Sequence, residues 1–187
     1  MPDIDRGLFG MIGAAALLTP ASVVVAADYL TIDVAQKEFF PNAQSFEPVL
    51  ISLTPDQKNA VVKLAGPQPP HGTLRIWSAV SDGVVVGYVF FDEVIGRSDY
   101  ISYATAIDAN GALKAIEVLS YRESHGAEIR NAAWRAQFAN KNDLAQLEFR
   151  IDIKNISGAT LSSEHVTQGV RWLYALWQTA LRTTPAQ

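Results

Sequence analysis

The chain has 187 residues, 49% hydrophobic and 18% charged, with a formal net charge of −4 and no cysteine. That size and balance support one well-cored domain and exclude a disordered polymer. The missing cysteines exclude disulfides, thiolate metal sites, iron–sulfur clusters and a cysteine nucleophile, and the acidic balance without a Lys/Arg cluster argues against a nucleic-acid partner.

The elements follow in chain order. Gly7 to Ala27 carries no charge, Pro20 breaks its apolar run, and Val25-Ala26-Ala27 places small residues before Asp28. This order reads as a secretory signal, residues 1–27, although Asp3 and Asp5 outnumber Arg6. The uncharged run also has the length of an uncleaved membrane anchor. Either reading exports the remainder, to the periplasm or the extracytoplasmic face of the inner membrane.

Residues 28–72 read as a small N-terminal helical lobe and linker. Thr54-Pro55-Asp56-Gln57 has the N-cap, N1 proline and N3 glutamine of a capping box. Gly66-Pro67-Gln68-Pro69-Pro70-His71-Gly72 stops that helix and stiffens the connection. The main domain, 73–187, opens with four strands joined as hairpins: Leu74–Val80, Val84–Phe91, Tyr100–Ile107 and Leu113–Leu119, with Ser81-Asp82-Gly83 and Asp108-Ala109-Asn110-Gly111 as turns. Gly126–Phe138 reads as a helix, Leu147–Ile153 as a further strand, and the chain from about Ser163 to Arg182 as a helix with Val166, Val170, Leu173, Tyr174, Trp177 and Leu181 along one stripe. The expected fold class is α+β, an antiparallel sheet of about four to six strands packed with helices.

One stretch suggests binding chemistry. Ser157-Gly158-Ala159-Thr160-Leu161-Ser162-Ser163 leads straight into the last helix, with small residues, a threonine hydroxyl and a serine pair suited to capping. Helix starts favour anions such as phosphate, so an anion could sit here, but taken by itself such a stretch is more often a loop with an N-cap. The aromatic stripe of the last helix reads as core packing rather than a cofactor box. His71 reads as a loop residue, and His165 either touches a phosphate or is solvated. His71, His125 and His165 do not have metal-site spacing, and no Ser-His-Asp set or glycine-rich nucleotide loop is present.

The same stretch resembles the Ser-Gly-Ala-Thr motif of extracytoplasmic FMN-binding domains, which include the periplasmic flavin subunits of Rnf- and Nqr-type electron-transport complexes. Tyr121-Arg122-Glu123-Ser124-His125-Gly126 is similar to the family's loop before a helix bearing tryptophan and phenylalanine, here Trp134 and Phe138. Asp82–Tyr88, Val94-Ile95-Gly96, Asp108–Gly111, Phe40-Pro41-Asn42-Ala43 and Leu53–Gln57 fall in the family's order, so the likeness spans about Tyr29 to Arg182. It implies FMN as cofactor, joined through its phosphate to Thr160 by a flavin transferase of the ApbE type. It also implies hydrogen bonds to the phosphate from Ser157, Ser162 and Ser163, room for the incoming donor at Gly158 and Ala159, and Leu161 within the same cofactor-binding stretch. Glu123, Ser124, His125 and Gly126 would approach the isoalloxazine ring, with Trp134 as an apolar wall. Three residues before Ser157, where the family carries aspartate, stands Lys154, with Asp152 two positions earlier.

The resulting expectation is an exported redox carrier serving a membrane or periplasmic redox partner, with no catalytic residues of its own. The competing expectation is a non-flavinylated periplasmic binding or interaction module on the same fold. A flavin reductase with its own substrate lacks a visible nicotinamide motif.

Overall fold

Ser81, Asp82 and Gly83 turn the chain between two strands because Asp82 and Gly83 both take left-handed backbone angles, φ 51° and 75°, the geometry of a tight hairpin. The side-chain amide of Gln44 braces that turn, donating to Asp82 Oδ1 at 2.8 Å and accepting from Asp82 N at 2.9 Å. The next hairpin closes on Asp108, whose Oδ1 accepts from the backbone N–H of Asn110 and of Ala112, both at 2.9 Å. These local devices yield a meander of long antiparallel strands. The computed structural model describes residues 27–28, 30–122 and 126–182.

Among the described residues six strands form one antiparallel sheet in the order β1-β6-β5-β4-β3-β2: β1 (Ala27–Asp28), β2 (Ser45–Pro48), β3 (Arg75–Ser81), β4 (Val84–Ile95), β5 (Tyr100–Asp108) and β6 (Leu113–Tyr121). The α-helices among these residues are α1 (Ile32–Phe39), α2 (Pro55–Ala65), α3 (Ala132–Arg135) and α4 (Thr160–Leu176). The fold is therefore α+β, as composition and patterning imply. The Thr54 capping box forms in full and starts α2. β2 pairs along β3, so the N-terminal segment contributes a strand to the sheet besides its two helices. Among the described residues no helix is long and apolar enough to cross a membrane.

Strand alternation divides the core into two layers. Phe90, Ile101, Tyr103, Ile107, Leu113 and Ile116 face α2, α4 and the segment 129–156. Ala79, Ala104, Ala106 and Leu119 face α1, and the small size of the three alanines lets Phe39 and Phe40 lie close to the strands. The stripe expected for the last helix is the one that packs: Val166, Val170, Leu173, Tyr174 and Trp177 are all buried. Each end of α4 is also tied by a polar bond. His165 Nδ1 meets the carbonyl of Ile95 at 2.6 Å, and the Tyr174 hydroxyl reaches the carbonyl oxygens of Gly111 and Asn142 at 2.8 and 2.6 Å.

Three expectations need correction. Leu147–Ile153 is not a strand: the Glu148 carbonyl accepts from Ile151, Asp152 and Ile153 N, and Glu148 N donates to Asp152 Oδ2 at 3.0 Å. These local bonds close a compact turn, with Arg150 at φ 70°, where alternating residue types had suggested pairing. Gly126–Phe138 is not one helix. Asn131 Oδ1 caps Ala133 N at 2.8 Å and so restarts the chain as α3, flanked by 3₁₀ turns at Ala127–Arg130 and Ala136–Phe138. The last helix begins at Thr160, three residues before Ser163, and ends in a π turn, Trp177–Leu181.

Beneath α4 the sheet carries a buried carboxylate. Asp92 Oδ2 accepts from the Tyr103 hydroxyl at 2.7 Å, while Asp92 Oδ1 has no protein partner. Burial pushes the Asp92 carboxyl above the usual carboxylate range, outweighing the opposing Tyr103 hydrogen bond. A raised folded-state value means that the folded protein resists ionisation more than the unfolded chain. This contribution is fully present below the ordinary carboxylate value and is lost as pH rises through the folded one. Asp92→Asn should therefore raise the melting temperature at neutral pH and remove that decline, as thermal melts across pH 4 to 8 would show.

Candidate functional site

α4 starts in an unusual way. Its N-cap is Ala159, with no side-chain cap, although a serine pair stands nearby. The first α-helical bond runs from Ser163 N to Ala159 O at 2.9 Å. The backbone N–H groups of Thr160, Leu161 and Ser162 thus belong to the helix's unpaired first turn. No acidic residue lies in that turn, so the positive end of the helix dipole is unopposed there.

The approach to these donors is open. Gly158 takes φ +85°, and a Cβ built there would meet nothing within 4 Å. Ser157, Gly158 and Leu161 are exposed and Thr160 is half-exposed. The serine pair does not cap. Ser163 Oγ donates back to the carbonyls of Ala159 and Thr160 at 2.9 and 3.0 Å, and Ser162 Oγ lies 3.3 Å from the Tyr121 hydroxyl. Both serines are buried, so the hydroxyls expected to face a phosphate turn into the protein instead. The hydroxyls of Ser157 and Thr160, with the first-turn backbone, are left to meet an anion.

The segment leading into the site is held by Trp134, which is buried. Its indole Nε1 donates to the Lys154 carbonyl at 2.8 Å, and its ring meets Phe138 edge-on at 5.3 Å. Gln137 Oε1 accepts from Lys154 N at 2.9 Å. Lys154 therefore has a fixed backbone and an exposed side chain three residues before Ser157. Trp134 acts on the site by bracing that backbone. Asp152 is committed to Glu148 N and does not replace a carboxylate at position 154.

The two motifs that the sequence singled out meet in space. A Cβ on Gly126 would lie 2.4 Å from Tyr121 Oη, 3.0 Å from Ala159 Cβ and 3.4 Å from Ser162 Oγ. Glu123, Ser124 and His125 lie outside the described residues; Gly126 itself lies against the start of α4. His165 is bound to Ile95 rather than aimed at an anion. Among the described residues no group of three or more acidic or histidine side chains is arranged to hold a metal. Sequence reading missed Gln137, which sits in no motif, and gave Tyr121 no role although it opens the Tyr121–Gly126 motif; only the folded chain brings Gln137 to Lys154 and Tyr121 to Ser162.

This arrangement suits a phosphate-bearing ligand. It combines free first-turn N–H groups, an uncrowded glycine, two accessible hydroxyls and an exposed lysine nearby. The comparisons agree with that chemistry. A family model described as FMN-binding domain matches residues 96–175, spanning β5, β6, α3 and nearly all of α4. The chain is similar to one subunit of the Na(+)-translocating ferredoxin:NAD(+) oxidoreductase complex of Acetobacterium woodii, 29% identical over 161 residues, covering 79% of this chain and 74% of the relative. It is also similar to one subunit of an ion-translocating oxidoreductase complex of Methanosarcina acetivorans, 29% identical over 141 residues, 73% of this chain and 69% of the relative.

The two glycines of the site should respond differently to a methyl group. Gly158→Ala meets open space and bears only the left-handed backbone cost, about 1 kcal/mol. Gly126→Ala adds contact with Tyr121 Oη to the same backbone cost and should lose roughly 2–3 kcal/mol. Urea denaturation of the two variants would measure the difference.

Proposed function

Since this chain carries an FMN-binding domain and FMN is its cofactor, we propose that it is an exported electron carrier in which the FMN phosphate is esterified to Thr160. The observation that supports this most is the uncapped start of α4, with Thr160 at its first position beside an unobstructed Gly158. When bound, FMN supplies one- and two-electron redox chemistry. The residues present fit its phosphate: Thr160 Oγ is half-exposed and chemically able to form a phosphoester. The N–H groups of Thr160, Leu161 and Ser162 would hydrogen-bond the remaining phosphate oxygens, and the helix dipole would offset their charge. Ser157 and the Lys154 ammonium would flank the same oxygens from the incoming loop.

In the esterification step the Thr160 Oγ–P bond would form as the pyrophosphate bond of a flavin dinucleotide breaks, a nucleoside monophosphate leaves and the hydroxyl proton is released. A flavin transferase of the ApbE type would perform it before the carrier meets its redox partner. Both relatives are named as subunits of ion-translocating oxidoreductase complexes. By extension, this chain would exchange electrons with a membrane-associated partner from the extracytoplasmic side, its residues 1–27 serving as signal or anchor.

A second reading follows from Lys154. A cation at this position pairs directly with a phosphate dianion, and the site would then hold FMN without an ester. Co-expression with a flavin transferase separates the two. Under the first reading the protein retains yellow colour and flavin fluorescence on a denaturing gel, Thr160→Ser keeps part of the label, and Thr160→Ala loses all of it. Release of all flavin from the wild-type protein on denaturation would favour the second.

A further inference from the structure

Three separate parts of the chain converge on one pair of hydroxyls. Tyr121 is the last residue of β6, and its side chain is buried beneath the start of α4. Ser162, in the first turn of α4, is also buried, and its Oγ lies 3.3 Å from Tyr121 Oη. Gly126 passes between the two elements, so close that a Cβ would lie 2.4 Å from that tyrosine oxygen. Its φ of +96° keeps it in the region where glycine alone is unstrained.

We propose that the Tyr121–Ser162 hydroxyl pair positions FMN by setting the separation between Gly126 and Thr160. A bound hydroxyl pair is directional: it fixes the end of the sheet and the first turn of the helix at hydrogen-bond distance, where apolar packing alone would permit sliding. Residue 162 then has two roles on opposite sides. Its hydroxyl faces inward to Tyr121, while its backbone N–H belongs to the unpaired first turn that meets the phosphate. Gly126 lies directly against this contact, so its placement relative to the phosphate anchor is governed by the same two oxygens. Tyr121 and Ser162 are thus positioning residues. They act on the flavin through Gly126 and the start of α4, and the inference rests on the proposed attachment at Thr160.

The test uses the full-length holoprotein, co-expressed with a flavin transferase, as Tyr121→Phe, Ser162→Ala and the double variant. Each single variant should shift the flavin's visible absorption bands and midpoint potential, and the double variant should match the singles rather than add to them. Hydrogen exchange of a peptide covering residues 126–135 should rise about fivefold in each, as expected for losing a hydrogen bond worth about 1 kcal/mol. The purely structural alternative predicts a lower melting temperature with bands and potential unchanged; that result, or additive shifts in the double variant, would overturn the proposal. A colourless wild-type protein would instead refute attachment at Thr160. In that case unchanged exchange in both single variants would reject the hydroxyl pair as a positioning device, while a rise shared by all three variants would uphold its hold on Gly126.

Discussion

The site depends on where α4 is allowed to begin. Its buried stripe and its two polar ties, His165 to Ile95 and Tyr174 to Gly111, hold the helix on the sheet along most of its length. A helix held that firmly does not need a strong cap to persist, because tertiary packing supplies most of the stability of natural helices. The first turn is thus free to leave its N–H groups without a side-chain partner. In a less well packed helix, the nearby serines would be expected to serve as caps; here they bond inward and leave the donors open.

The loop before α4 shows how rigid support reaches an exposed site. Lys154 has its N–H on Gln137 and its carbonyl on Trp134, and these two side chains come from the segment between β6 and the Glu148 turn. A tryptophan that resembles a cofactor wall in sequence acts as a brace in the fold, with its N–H satisfied as a buried indole requires. The result is a short exposed stretch, Ser157 and Gly158, carried on an immobilised backbone. Ligand sites gain from this combination because little ordering entropy remains to be lost on binding.

Much of the architecture was legible because it rests on local physics. Asp82-Gly83 and Asp108–Gly111 made their turns, Thr54–Gln57 made its capping box, and the apolar stripe of α4 went to the core. The failures also have local explanations. Phe149, Ile151 and Ile153 alternate with charged residues as a strand would, yet Asp152 bonds Glu148 N and folds the segment back on itself. Asn131 lies inside an apparent helix and caps a new one. In both cases a short polar side chain found a backbone partner that periodicity does not register.

Sequence alone determined the α+β class, the meander of the four long strands, the approximate position of the terminal helix and the placement of a phosphate-suited motif at its start. Each follows from the side-chain period, turn chemistry or helix-end electrostatics, which are properties of neighbouring residues. Only the tertiary structure decided which hydroxyls of that motif face outward, that Gly126 lies against Ala159, that Tyr121 meets Ser162, and that Gln137 belongs to the candidate site at all. Those facts depend on contacts between residues 17 to 41 positions apart. Close packing of the sheet, the braced loop and the helix sets those distances, and no local pattern in the chain encodes them.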